Sequence, residues 1–528
     1  MTKKFMYEIK DFIRSRNVIY CFLSSLFFGL LSYLYFFTNN LNNYDNISVT
    51  PVGYGTGTSS GRWFLGEFGD WIGELWGNYN IPIFNGILTI LILAVTSCII
   101  VEIFKIKNKW LCILIGGITV VFPPIASAMF FSYTVGYYAL AIFFVVLGNF
   151  LVKECKILGF IFGSLLFSFS LGTYQAYYPL CASVFILILI KMCIDSKTTW
   201  KEIIVTGFKF LFSLALGYIL YKLFLKYYLY IDNIQLGSYK GIDQMGKIDV
   251  YSLPAKIKEI FNSMLQLTFD DYMSISATKI IQHSFLGLYI ITFITLILLT
   301  IKNILNKESI LKFILLLMFI VLLFISINFV VVMVPNGYIY TIMQMGFVCI
   351  FYLVIILIDN LDKINLSTNK LVILDKFKLN KVLLVSTIVI VLTSTLNYAW
   401  QTNGNYRLLY YNNRQLENYY QTLYTRIKST EGYKQDMNIY FVGSDINDKT
   451  FSNFKWENTP FKYGGNGSPL NTYSRHSTIE NYLGYSFAKI ENDSEEYKKY
   501  QNDIEQMDKY PNDGSIKILD NNIFIRFE

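Results

Sequence analysis

The sequence predicts an all-α polytopic membrane protein that carries a small α/β unit at its C-terminal end. Three observations predict it. Hydrophobic residues make up 54% of the 528 and the mean hydropathy is +0.41, too apolar for a soluble chain. Apolar runs long enough to cross a bilayer recur through the first 400 residues. From about Trp400 the composition turns polar, and residues 401–528 hold 15 Lys and Arg against 17 Asp and Glu with no span-length apolar run.

The elements follow in order. The start, MTKKFMYEIKDFIRSR, reads as a short basic helix feeding a first span too long for a cleaved signal core. Eleven spans are expected, near 18–37, 81–101, 110–122, 130–152, 157–172, 176–190, 203–225, 284–300, 313–334, 337–358 and 382–400. The third stops early at Phe122-Pro123-Pro124, because a proline pair breaks the helix, and is followed by an uncharged turn, IASAMFFSYT. The fifth ends at LGTYQAYYPL, and such abbreviated helices are expected where their ends line a cavity. The aromatic and proline residues there read equally as a turn with an interfacial belt. Two longer outer segments are expected, at 38–80 and 226–283. In the second, Ile257, Ile260, Phe261, Met264 and Leu265 recur at helical spacing, which reads as a helix lying on the membrane surface. Residues 1–400 thus form a membrane domain and 401–528 a soluble domain, where YRLLYYNNRQLENYYQTLYTRIKS reads as a helix, MNIYFVG as a strand and SIKILDNNIFIRFE as a terminal hairpin.

Orientation follows from charge, since Lys and Arg in short loops are retained in the cytoplasm. The alternate loops beginning with residues 1–17 hold 21 of them, whereas the short loops of the other set hold only Arg62. The N-terminus is therefore expected inside and residues 401–528 outside. The net charge of +8 is mostly this topology signal plus contact with anionic headgroups and gives little support for nucleic-acid binding. Seven cysteines fall in spans or inner loops, so no structural disulfides are expected.

The candidate chemistry gathers in 38–80. The glycines at 53, 55, 57 and 61 superficially suggest a phosphate loop, but the preceding strand is missing, and a mobile covering loop is the better reading. Asp45 follows the outward end of the first span by eight residues, which places a carboxylate close to the membrane face. Arg62 is the only Arg between Arg16 and Arg407 in a chain that otherwise uses Lys. A guanidinium grips phosphate bidentately where an ammonium cannot, although a snorkelling interfacial Arg fits equally well. Beside it Trp63 and Phe64 open a run in which Phe64, Phe68, Trp71, Ile72 and Leu75 make one face and Glu67, Asp70 and Glu74 another. This reads as a surface helix, of which Glu67 is the member best placed to turn inward. Lys240, Lys247, Lys256 and Lys258 read as contacts to lipid phosphates or as snorkelling residues. Asp270-Asp271 lacks a third ligand, so no metal site is expected.

The acid after the first span, SGRWFL, the FPP turn, TYQAY and the terminal YPNDGSIKILDNNIFIRF together resemble the bacterial glucosyltransferase type II family, the O-antigen-type modifying enzymes. Family members often show paired acids after span one, whereas here Asp45 stands alone between Tyr44 and Asn46. The resemblance implies a GT-C-like fold in the bacterial cytoplasmic membrane. It implies transfer of a sugar, usually glucose, from an undecaprenyl-phosphate carrier to a surface polysaccharide on the extracytoplasmic side. A small flippase and a carrier-charging glycosyltransferase are implied upstream. No fixed cofactor is implied, and room is left for a divalent metal. The site residues expected on this basis are Asp45 and Glu67 as catalytic acids, Arg62, Trp63 and Lys240 toward the donor phosphate and lipid, and Tyr174, Gln175 and Tyr177 along the cavity. A transporter or flippase of lipid-linked sugars is the alternative, against which stands the lack of Asp or Glu inside the spans as drawn.

Overall fold

A computed structural model describes residues 15–49, 57–77, 79–238, 250–305, 309–334, 338–361, 379–445, 470, 472–492 and 495–527. The chain opens with α1 (Arg16–Thr38), α2 (Tyr44–Ser48), α3 (Trp63–Trp76), α4 (Pro82–Ile103), α5 (Lys109–Val121) and α6 (Pro123–Met129). Then come α7 (Val135–Glu154), α8 (Ile157–Thr173), α9 (Tyr178–Ile194), α10 (Trp200–Ile231), α11 (Leu253–Phe269) and α12 (Lys279–Leu305). The bundle closes with α13 (Ile310–Ile327), α14 (Val330–Met333), α15 (Val348–Leu361) and α16 (Leu379–Lys428).

Among the described residues eight helices are long and apolar enough to cross a membrane, with α5 and α6, bent by 42° at Phe122, as a ninth. The remaining apolar helices, 157–173 and 345–361, are shorter. Each of the eleven apolar stretches of the sequence falls on one of these segments, but length and composition qualify only eight or nine as spans. Three boundaries shift. The fourth helix starts at Val135 rather than near 130, so Tyr133 stays outside it. The seventh runs on to Ile231, so the second outer segment begins later. The tenth starts only at Val348, because residues 341–347 form short 3₁₀ turns in which Gly346 abuts the Ile327 carbonyl, where a Cβ would come within 2.3 Å.

Helices α1, α4 and α5 pack closely through small residues and side-chain-to-backbone hydrogen bonds, as expected where lipid removes the hydrophobic drive between helices. A Cβ at Gly116 would lie 2.3 Å from the Cys21 carbonyl oxygen, and Tyr33 donates to Val120 O at 2.7 Å. The loops sort into two ends. At one, the Asp359 carboxylate accepts from the Lys107 and Asn108 amides, Lys153 Nζ donates to Ile103 O and Lys312 Nζ to Asp195 O. These lysines satisfy helix-terminal carbonyls. At the other end lie the segments around residues 42–48, 57–62, 130–134, 174–177, 270–276 and 397–413.

The surface helices are rotated relative to expectation. Helix α11 buries Ile260, Ser263, Met264 and Leu267 against the bundle, leaving Phe261, Leu265 and Phe269 as an exposed apolar stripe at four-residue spacing. Helix α3 buries Trp63, Leu65, Gly66 and Gly69 and exposes Trp71, Leu75 and Trp76. Apolar residues on both helices therefore divide between bundle and lipid.

The composition change at Trp400 falls inside α16, one continuous helix of 50 residues. At ~1.5 Å per residue it is about 75 Å long, more than twice the ~30 Å hydrocarbon thickness, so its second half stands clear of the bilayer. That half packs on a mixed four-stranded sheet of order β2-β1-β4-β3, formed by β1 (Asn438–Val442), β2 (Lys489–Asn492), β3 (Ile516–Leu519) and β4 (Asn522–Arg526). Strand β1 runs parallel to β2 and β4, while β3 and β4 form the antiparallel hairpin expected from SIKILDNNIFIRFE, with Asp520 at φ +54° in its turn. Helix α17 (Thr472–Ser477) packs against α2.

Candidate active site

The site is built around the turn at Gly57–Arg62. Gly57 O accepts from the amides of Ser60 at 3.0 Å and Arg62 at 3.2 Å, and Gly61 at φ +73° reverses the chain. A side chain at position 61 would be strained there, which gives SGRW its physical sense. The turn is held from outside: Gln175 Nε2 donates to Gly61 O at 2.9 Å and Tyr221 Oη to the same oxygen at 3.2 Å. Gly237 N, in the second outer segment, donates to Ser59 O at 2.8 Å.

This clamp aims Arg62 into a tyrosine cluster. Its Nη1 donates to Tyr138 Oη at 3.2 Å, and the guanidinium carbon lies 5.1 Å from the Tyr174 ring centroid. The Tyr138 and Tyr174 rings are 4.7 Å apart and Tyr174 and Tyr177 5.0 Å. Stacking on an aromatic face immobilises a guanidinium without neutralising it. Of the TYQAY residues, Gln175 therefore fixes the backbone, Tyr174 supports the guanidinium, and fully buried Tyr177 backs Tyr174.

Asp45 lies half-buried in α2, a single turn capped by Asn43, whose side chain accepts from Asn46 N. Two asparagines fix that turn. Asn46 donates to Phe130 O at 2.7 Å and accepts from Ser132 N at 3.0 Å, while Asn413 of α16 exchanges two hydrogen bonds with the Asn42 backbone. Tyr133, in the turn that Asn46 grips, reports both charges. Burial first, then Tyr138 and the Asp45 carboxylate, push its hydroxyl well above the usual tyrosine range, and Arg62 pulls the other way. Asp45 and Arg62 thus act on one phenol from two independently anchored turns.

The other expected residues are placed differently. Trp63 is buried rather than facing lipid: it stacks 5.5 Å from Tyr228 and meets Phe64, Phe169 and Phe224, in space left by Gly172, where a Cβ would come within 2.6 Å. It anchors α3 behind Arg62. Glu67 lies half-buried in α3 among other acids, its carboxyl pushed above the usual range by burial, then by Asp232 and Asp70. Lys240, Lys247, Gly53 and Gly55 lie outside the described residues. Asp270 and Asp271 accept from the amides of Asp271 and Ser274, as a helix-end pair. Among the described residues no three His, Cys, Asp or Glu side chains gather in a way that could hold a metal ion.

Tyr133, Tyr138 and Tyr221 are site residues that the sequence does not single out. The signal available for Tyr133 was a Ser-Tyr-Thr in an otherwise uncharged apolar turn; Tyr138 and Tyr221 look like ordinary interfacial tyrosines until the turn they face is known.

The model of the family described as glucosyl transferase GtrII matches residues 34–351, more than half of the chain. The chain belongs to this family. No curated relative and no solved structure matches it. The GtrII match encloses Asp45, the SGRW turn, Glu67, the FPP break and TYQAY, so the clamp around Arg62 belongs wholly to the family-defining part. It ends before α16 and the sheet, so GSIKILD lies beyond it. Membership makes the protein a membrane-embedded glycosyltransferase of the glucosyl class.

Proposed function

We propose that this GtrII protein moves glucose from an undecaprenyl-phosphate carrier to a hydroxyl of a cell-surface polysaccharide on the extracytoplasmic face of a bacterial cytoplasmic membrane. In this reading Asp45 takes the proton of the acceptor hydroxyl as its oxygen attacks the anomeric carbon. The bond from that carbon to the phosphate oxygen breaks, and Arg62 meets the charge that grows on the leaving undecaprenyl phosphate. A phosphate leaves without protonation, so one carboxylate suffices for the step. The observation that carries the reading is that a half-buried acid and a guanidinium lying over the Tyr174 ring, each on its own anchored turn, meet the same stretch of chain at one end of the bundle, the Asp45 turn through the Asn46–Ser132 hydrogen bond and Arg62 through Tyr138.

A lipid-linked donor suits this placement, since exposed Trp71, Leu75 and Trp76 of α3 keep the clamp at the lipid boundary. The carrier would be charged and flipped by separate proteins upstream. Composition analysis of surface polysaccharide from a deletion strain tests the proposal. A missing glucose branch on an intact backbone, with charged carrier lipid accumulating on the outer face, is the expected result; a missing branch with the charged carrier held on the cytoplasmic side would point instead to lipid-linked sugar transport, and an unchanged branch would overturn both.

A further inference from the structure

The turn that carries Asp45 is packed by the C-terminal sheet region. Ile47, two residues on from Asp45 and 3% exposed, joins the hydrophobic cluster of Leu416, Tyr420, Phe441, Ile479 and Ile523 rather than the core of the bundle. The elements that meet it are α17 and the π-helical turn Thr478–Tyr482 that follows. Helix α17 is fixed from inside: Arg475 Nη2 pairs with Asp445 Oδ1 at 2.8 Å, Tyr420 Oη donates to Asp445 Oδ2 at 2.9 Å, and the guanidinium lies 4.5 Å from the Phe441 ring centroid. Arg475 and Asp445 are 1% and 0% exposed. A desolvated pair of this kind tolerates little displacement, because moving either partner strands the other charge.

Residues two apart on a helix point ~200° from each other. Burying Arg475 therefore turns Tyr473 outward, and its ring is 61% exposed. It stands beside the Asp45 turn and acts electrostatically on Tyr133, together with Asp45 and Arg62. A rigid aromatic ring offers a broad contact face at low entropic cost, suited to the C–H face of a pyranose.

We propose that Tyr473 is a specificity residue for the acceptor, the face on which the receiving sugar of the polysaccharide rests while its hydroxyl meets Asp45, and that the Asp445–Arg475–Tyr420 group holds it there. This rests on the transfer reading above. Donor and acceptor are then gripped by different parts of the chain, the donor by the clamp at Arg62 and the acceptor by α17.

The test uses full-length enzyme in proteoliposomes, undecaprenyl-phosphate-glucose as donor and polysaccharide extracted from the deletion strain as acceptor. Tyr473→Ala should raise the acceptor KM by about tenfold or more while leaving the donor KM and the melting temperature near wild type, and Tyr473→Phe should restore the acceptor KM. An unchanged acceptor KM in the Ala variant, or a Phe variant as impaired as Ala, would overturn the role of the ring. Should the Ala variant not be recovered folded, Tyr473→Leu decides by the same acceptor KM: raised supports the role, unchanged overturns it. Wild-type enzyme that transfers nothing between these substrates would instead overturn the transfer reading, and this assignment with it.

Discussion

At the scale of single residues, Asp45 and Arg62 contribute different terms to one step, and conservative changes separate them. Asp45→Asn keeps shape and removes basicity, so kcat should fall by about 10²–10⁴-fold with the donor KM largely retained. Arg62→Lys keeps charge but loses both the bidentate fork and the flat face stacked on Tyr174, so donor KM and kcat should worsen together. Steady-state kinetics with varied donor check both. Glu67 supplies the counter-case. Burial first, then Asp232 and Asp70, hold its carboxyl above the ordinary range, yet it sits on a different element from Asp45. A near-normal Asp45→Asn enzyme beside an inactive Glu67→Gln enzyme would move the base to α3.

At the scale of elements, the site is two turns held by polar side chains, and this is where sequence and structure part company. SGRW was legible as a motif because an isolated Arg in a Lys-using chain is conspicuous. Its clamp was not legible, because Gln175 and Tyr221 reach one carbonyl from positions 114 and 160 residues away, a separation no local pattern encodes. Trp63 was misplaced for a related reason: interfacial and buried tryptophans look alike until the glycine opposite, Gly172, is seen to make room. The two turns predict separable phenotypes. Asn46→Ala leaves Phe130 O and Ser132 N without that partner, at a cost of about 1–3 kcal/mol, and loosens the Asp45 turn alone. Gln175→Ala loosens the Arg62 turn. The first should lower kcat at unchanged donor KM, and the second should raise donor KM; the same kinetic profile for both would show that the turns do not act independently.

At the scale of the whole molecule, hydropathy carried most of the information: every apolar stretch became a helix, and the polar tail became a helix, a strand and a hairpin where its patterns placed them. Continuity was hidden, because the change from apolar to polar composition at Trp400 marks where α16 leaves the lipid and not where it ends. This one helix ties the sheet region rigidly to the bundle, so a single orientation governs both. The contacts divide the loops into two ends, with the lysine-capped carbonyls of Ile103 and Asp195 at one and the Asp45 and Arg62 turns at the other. Retention of positive charge predicts the lysine end in the cytoplasm and the site outside. Single cysteines at the exposed positions Ser429 and Ser196, compared with wild type and its seven native cysteines, test this in intact cells. An impermeant thiol reagent should modify Ser429→Cys, at the outer end of α16, and spare Ser196→Cys, in the loop between α9 and α10, until the membrane is permeabilised. Labelling of Ser196→Cys alone would invert the molecule and put the site on the cytoplasmic face, where soluble nucleotide sugars, and not a flipped lipid carrier, are at hand.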